Sequence, residues 1–291
     1  MMTKSALWLN AIHHLRIPFS IFLMPVYWFA LIPIEVDVYR AVMVFIALHI
    51  FIYPASNGYN SYFDRDVESI GGLKHPPEVT RELWYVVLAF DLFSLLIALM
   101  VNLPFAVMAL IYLLVSKAYS YEKIRLKKYP VFGAITVVVF QGFFTYIAVQ
   151  AGAGESARLL FDNIGYGIVS TLFLLGSYPM TQIYQHAEDE KHGDYTLSRM
   201  LGIHGTFLFT SLVFLIASVL LCYLFYMDHQ VHNIVIYLLA LIPVNIYFLK
   251  WYFDYRKGKP VITFERTMAL NALSSLLLSV AFISMLLLKW L

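Results

Sequence analysis

Apolar residues run along this chain in stretches of about twenty, broken by short polar connections, and the pattern recurs from one end to the other. The stretches fall at residues 15–34, 39–60, 83–101, 104–121, 130–151, 163–184, 205–226, 232–253 and 268–290. Each matches the roughly 20 residues that carry an α-helix across the hydrocarbon of a bilayer. Strand-sized segments of alternating polarity do not occur, and in lipid an open chain can satisfy its backbone polar groups only as helix. The expectation is an all-α integral membrane protein: nine transmembrane helices in a bundle, forming a single domain over residues 1–291.

Composition agrees with a lipid solvent. Apolar residues make up 61% of the chain and charged residues 13%, against about 25% charged in an average soluble domain. Of the 20 Lys and Arg, all but Arg40, Arg158 and Lys289 fall at the N-terminal end or in the connections after spans two, four, six and eight. The positive-inside rule then puts the N-terminus and those connections in the cytoplasm and the C-terminus on the opposite side. The first residues, up to Arg16 and Pro18, carry no cleavable-signal pattern and read as a cytoplasmic lead-in. Cys222 is the only cysteine, which excludes an intramolecular disulfide and a cysteine-based zinc site. Membrane lipid is an expected partner and nucleic acid is not.

Acidic residues crowd the same face as the basic ones, although orientation does not require them there. Span two closes in Asn57-Gly-Tyr-Asn60-Ser61-Tyr-Phe-Asp64-Arg-Asp66-Val-Glu68. Read as continuous helix, residues four apart share a face, so Asn60, Asp64 and Glu68 form an oxygen-rich ridge. Such a ridge suits Mg²⁺, which takes hard oxygen ligands and commonly one or two carboxylates plus substrate phosphates. Span six closes similarly, in Gln182-Ile-Tyr-Gln185-His-Ala-Glu188-Asp189-Glu190-Lys-His-Gly193-Asp194, with Gln185 and Asp189 on one face. Two ridges four spans apart, at 57–68 and 182–194, hint at an internal duplication. Either alone reads equally well as a solvated helix end; the pair, with strong charge of both signs, points to a polar site for a metal ion and an anion at the cytoplasmic face.

The connection after span four supplies the counter-charge, with Lys117, Lys123, Arg125, Lys127 and Lys128 close together before Pro130. A bland reading is an orientation signal or a patch for anionic lipid; the interleaving of Arg125 and Lys127 with apolar residues looks more like placement of particular cations. Arg16 is another candidate to meet a phosphate. His13, His14, His186 and His192 lie near the same face and read as interfacial residues, because no metal-ligand spacing of the HExxH kind occurs. Asp91, inside span three, is a separate oddity: an intramembrane carboxylate is a functional hypothesis, or it pairs with a neighbour inside the bundle.

These residues resemble a family. Asn60 to Glu68 looks like the first aspartate-rich motif, NDxxDxxxD, of the UbiA-type intramembrane prenyltransferases, with Ser61 where the motif has an aspartate and Glu68 where it ends in one. Asp189, Gly193, Asp194, Thr196-Leu197 and Leu201-Gly202 look like the second motif and the run after it, with Gln185 where that motif begins with an aspartate. Tyr119-Ser120, Arg125-Leu126-Lys127 and Pro130 match the YS…RLK…P segment. The resemblance covers nearly the whole chain. It implies Mg²⁺-dependent transfer of a prenyl group from a prenyl diphosphate to a lipophilic, aromatic acceptor, as in isoprenoid biosynthesis, with Asp64 and Asp189 catalytic. Asn60, Asp64, Glu68, Gln185, Asp189 and Asp194 would hold metal; Arg16, Lys74, Lys123, Arg125 and Lys127 would hold diphosphate. A bacterial cytoplasmic membrane is the implied location. The alternatives are a terpene cyclase using the same ionisation and a non-catalytic transporter or lipid-binding protein, which would place its polar site nearer the midplane.

Overall fold

The structure is a computed structural model, and it describes residues 3–154, 163–191 and 193–289. Arg158 and His192 lie outside them. Among the described residues every regular element is helical, and the extended pairings are two isolated bridges, Val36 to Gly154 and Ile70 to Leu73.

In chain order the α-helices are α1 (Lys4–His14), α2 (Met24–Leu31), α3 (Val38–Phe45), α4 (Tyr53–Asp64), α5 (Arg81–Val101), α6 (Leu103–Ser120), α7 (Pro130–Val139), α8 (Thr145–Ala153), α9 (Ile164–Gln182), α10 (His186–Lys191), α11 (Leu197–Met227), α12 (Val231–Arg256) and α13 (Phe264–Lys289). A 3₁₀ segment, Ile17–Leu23, joins α1 to α2; π-helical turns, Ile46–Ile52 and Phe140–Phe144, fuse α3 to α4 and α7 to α8. Among the described residues, eight helical runs are long and apolar enough to cross a membrane. The sixth expected span is α9, a 19-residue helix outside those eight. Its Gly, Ser, Tyr, Thr and Gln residues, with Pro179 inside, dilute its apolar character.

Cap chemistry explains where the helices stop. Asn102 sits between α5 and α6 with extended backbone, and its side-chain oxygen accepts from the Phe105 N–H at 2.8 Å. Its amide also donates to the Ala151 carbonyl at 2.9 Å, while the Asp37 N–H donates to Ala153 at 2.9 Å. The open carbonyls at the end of α8 are thereby satisfied, as helix termini require. Asp37 also caps α3 through the Arg40 N–H.

The chain forms two compact units. The first comprises Met1–Ile21, Glu35–Lys127 and Ala148–Ala157. Its helices α1, α4 and α5 close on Ala11, Leu15, Tyr59, Leu83, Val86 and Val87. In lipid these side chains contribute through close van der Waals packing rather than through removal from water. The second comprises Phe22–Ile34, Lys128–Ile147 and Arg158–Leu291. There Met180, Ile183, Phe207, Trp251, Val261 and Leu270 form a core, and the Trp251 indole N–H donates to the Val261 carbonyl at 2.8 Å. That bond holds the connection after α12 against the helix bodies.

Candidate functional site

The first polar ledge belongs to the first unit. Helix α4 ends at Asp64 because Arg65 adopts a left-handed conformation, φ 51° and ψ 38°, with its N–H on the Ser61 carbonyl. This corrects the expected ridge. Asn60 and Asp64 share a helical face, but Glu68 lies beyond the helix on exposed backbone and does not continue it. The spacing argument assumed unbroken helix, and a single left-handed residue cancels it.

Asp64 is the best-shielded carboxylate of the ledge, its side chain only 3% exposed. Lys127 reaches its Oδ2 at 2.5 Å, Arg125 lies 3.9 Å from Oδ1, and the Asn60 amide donates to Oδ2 at 2.7 Å. Oδ1 is buried and accepts no hydrogen bond. Arg125 holds positive φ, 41°, as do Arg16 and Arg65. Non-glycine residues pay conformational strain there, and such strain gathers at functional sites. Arg16 is buried and donates to the backbone carbonyls of Gly71, at 2.9 Å, and Asn57, at 3.1 Å, so it ties the connection after α4 to the helix itself. Lys74 and Lys123 are exposed. His14 bonds the Pro77 carbonyl at 2.8 Å.

The second ledge belongs to the second unit and is built otherwise. Span six does not run on through 194: α9 ends at Gln182, and α10 begins as a separate short helix. Gln185 stands just before α10, where its backbone carbonyl accepts from the N–H groups of Glu188 and Asp189, both at 2.9 Å. Gln185 is thus the cap of α10: the i to i+4 bond keeps it one turn from Asp189, but both belong to the short helix and not to span six. Asp189 accepts from the Thr196 hydroxyl at 3.0 Å, and the Asp194 N–H returns to the Asp189 carbonyl at 2.8 Å. Arg199 donates to the carbonyl of buried Asp194 at 2.6 Å and lies 3.7 Å from Glu190.

The run after this motif has a physical reading. Gly193 and Gly202 both hold positive φ, 69° and 67°, the second inside a kink of α11. Thr196 holds Asp189, and Leu197 is buried. Ser198 links the ledge to the helices: its N–H reaches Gln182, and its hydroxyl meets His186 at 2.8 Å and Thr206 at 3.1 Å. Burial, and then the nearby Arg199 charge, push the His186 pKa below its ordinary value, which favours the neutral ring.

Among the described residues, no three His, Cys, Asp or Glu side chains gather closely enough to hold a metal by themselves. The donor set of the first ledge is an amide oxygen and an open carboxylate oxygen. That is too little for an all-protein cage and suits Mg²⁺, which completes its shell with substrate phosphates and water. Sequence reasoning placed Ser120 and Thr196 in the family segments without giving either a role and gave none to Arg199, since hydroxyls and lone cations carry no spacing signal; it also missed that Lys127 pairs directly with Asp64.

Comparison with known proteins agrees with the helical fold. A UbiA homologue from Archaeoglobus fulgidus, solved bound to GPP and Mg²⁺, is similar at TM-score 0.70 and 20% identity, over 95% of this chain and 99% of that one. The apo structure of a UbiA homologue from Aeropyrum pernix K1 matches at TM-score 0.71 and 16% identity, over 94% and 99%. A structure described for the biosynthesis of digeranylgeranylglyceryl phosphate synthase in membranes matches at 0.62 and 17%, over 98% and 99%. No curated relative matches the chain. The model of the UbiA prenyltransferase family matches residues 22–273, and with that span covered the chain belongs to the UbiA prenyltransferase family.

Proposed function

We propose that this protein transfers a prenyl group from a prenyl diphosphate to a lipophilic acceptor, with an aromatic acceptor as first choice, and that it requires Mg²⁺. The observation that carries the proposal is Asp64: a carboxylate 3% exposed, flanked by Asn60, Lys127 and Arg125, with one buried oxygen free of hydrogen bonds. Such an oxygen is costly to bury unless a cation completes it.

Asn60 and Asp64 would hold the metal on the first ledge, with Glu68 reaching in from the loop beyond it. Asp189 would do so on the second, with Asp194 and Gln185 beside it. Mg²⁺, when bound, neutralises charge on the departing diphosphate. Lys127, Arg125 and Lys123 would hold the diphosphate, with Lys74 and the remaining N–H groups of Arg16. Cations fixed before the reaction begins stabilise the developing charge without reorganising, and do so most where water is excluded. Tyr and Phe faces would line the path of the allylic cation, each contributing roughly 0.5–2 kcal/mol.

The single family match crosses both compact units, which supports reading the chain as one domain. The distribution of Lys and Arg supports a cytoplasmic N-terminus and a C-terminus on the opposite side, in what we take to be a bacterial cytoplasmic membrane.

The test uses purified protein, Mg²⁺ and farnesyl or geranylgeranyl diphosphate, with and without a panel of phenolic acceptors. Diphosphate release that depends on acceptor and disappears in Asp64→Ala is the expected result. A cyclised hydrocarbon formed without acceptor would make the protein a cyclase instead. Equal, negligible release from both proteins across the panel would end the enzymatic reading.

A further inference from the structure

A primary amide offers two N–H donors and one carbonyl oxygen, and which end faces a ligand depends on what holds the other. The Asn60 amide nitrogen donates twice, to Asp64 Oδ2 at 2.7 Å and to the Ser120 hydroxyl at 2.9 Å. Asp64 pairs with Lys127 and is a carboxylate, so the atom facing it must be the amide nitrogen rather than the oxygen. With both hydrogens committed, the carbonyl oxygen is the only group Asn60 can present to a cation. Ser120 is 1% exposed, so bulk water has little access to replace it.

Ser120 is in place for a second reason. One turn earlier on α6, on the same face, the Lys117 ammonium lies 2.8 and 3.0 Å from the two carboxylate oxygens of Asp91 on α5. It also lies 4.8 Å from the centre of the Tyr59 ring, next to Asn60 on α4. Sliding or rotating α6 would separate an ion pair whose side chains are 22% and 14% exposed, inside apolar helices. The intramembrane carboxylate singled out by the sequence thus acts as a peg that sets the register of α6.

We propose that Ser120 is a positioning residue: pinned by Lys117 and Asp91, its hydroxyl fixes the Asn60 amide so that the carbonyl oxygen is presented as a metal ligand. This rests on the assignment of Asn60 to the metal, and the experiment separates the two. Mn²⁺ binding in the presence of inorganic pyrophosphate is measured by electron paramagnetic resonance for the full-length wild type, Ser120→Ala, Ser120→Thr and Asn60→Ala. Ser120→Ala is expected to weaken Mn²⁺ about tenfold, as loss of a group that orients a ligand does. Ser120→Thr keeps the hydroxyl and restores binding, and in turnover the Ala variant raises the KM for Mg²⁺ with kcat little changed. If Ser120→Ala does not fold, Ser120→Cys, similar in shape with a weak acceptor, carries the same expectation. Wild-type affinity in Ser120→Ala, or in Ser120→Cys where that variant stands in, alongside loss in Asn60→Ala, overturns the role of Ser120 alone. So does equal loss in the Thr and Ala variants. Unchanged affinity in Asn60→Ala, or a wild type that takes up no Mn²⁺, removes the metal assignment and the inference with it.

Discussion

The two ledges look like copies in sequence and are assembled by different physics. The first is the end of a long helix, closed at Arg65, and its central carboxylate is balanced by cations from a connection some sixty residues away in sequence. The second is a short helix detached from its span; the Thr196 hydroxyl donates to its carboxylate, and backbone bonds close the loop around it. The hint of duplication therefore extends to residue types at the helix ends and stops short of how those residues are held. A carboxylate shielded from water needs a countercharge, which Lys127 and Arg125 supply to Asp64.

The widest test of the contrast is activity. Asp64→Ala and Asp189→Ala are each expected to lower diphosphate release by roughly a thousandfold, within the range for losing a group that stabilises developing charge. If Asp189→Ala retained wild-type turnover, the first ledge would be working alone. Next comes stability. Lys127→Met strips the nearest cation from Asp64, and breaking a shielded pair costs roughly 3 kcal/mol; a lowered melting temperature in detergent is the readout, together with lost turnover. Gly202→Ala forces a Cβ onto a backbone at φ 67° and ψ 170°, a region essentially reserved for glycine, and should cost about 1–3 kcal/mol. Thr196→Val removes one hydroxyl donor from Asp189 and should cost about 1 kcal/mol. A Thr196 variant as damaging to stability as Lys127→Met would erase the distinction between the ledges.

Much of the site was legible before any coordinates. Asn60 and Asp64 share a helical face as their spacing suggested, while the pairing of Lys127 with Asp64 was not foreseen. Glu68 and the reach of span six were misread for one reason: helical spacing was extended past points where the backbone turns, at Arg65 and at residues 183–185. Nothing in the local pattern marks a left-handed arginine, since that conformation is unfavourable for the isolated residue.

By itself the amino-acid order determined the solvent, the helical class and the approximate ends of the spans. Those properties follow from hydrophobic period and the need to satisfy the backbone in lipid, both of which are local. Only the tertiary structure decided that Asp91 meets Lys117, that Ser120 holds Asn60, and that Arg16 bridges Asn57 and Gly71. Each is a pairing between segments far apart in the chain, set by which helices pack together and in what register, and a one-dimensional pattern carries no record of that.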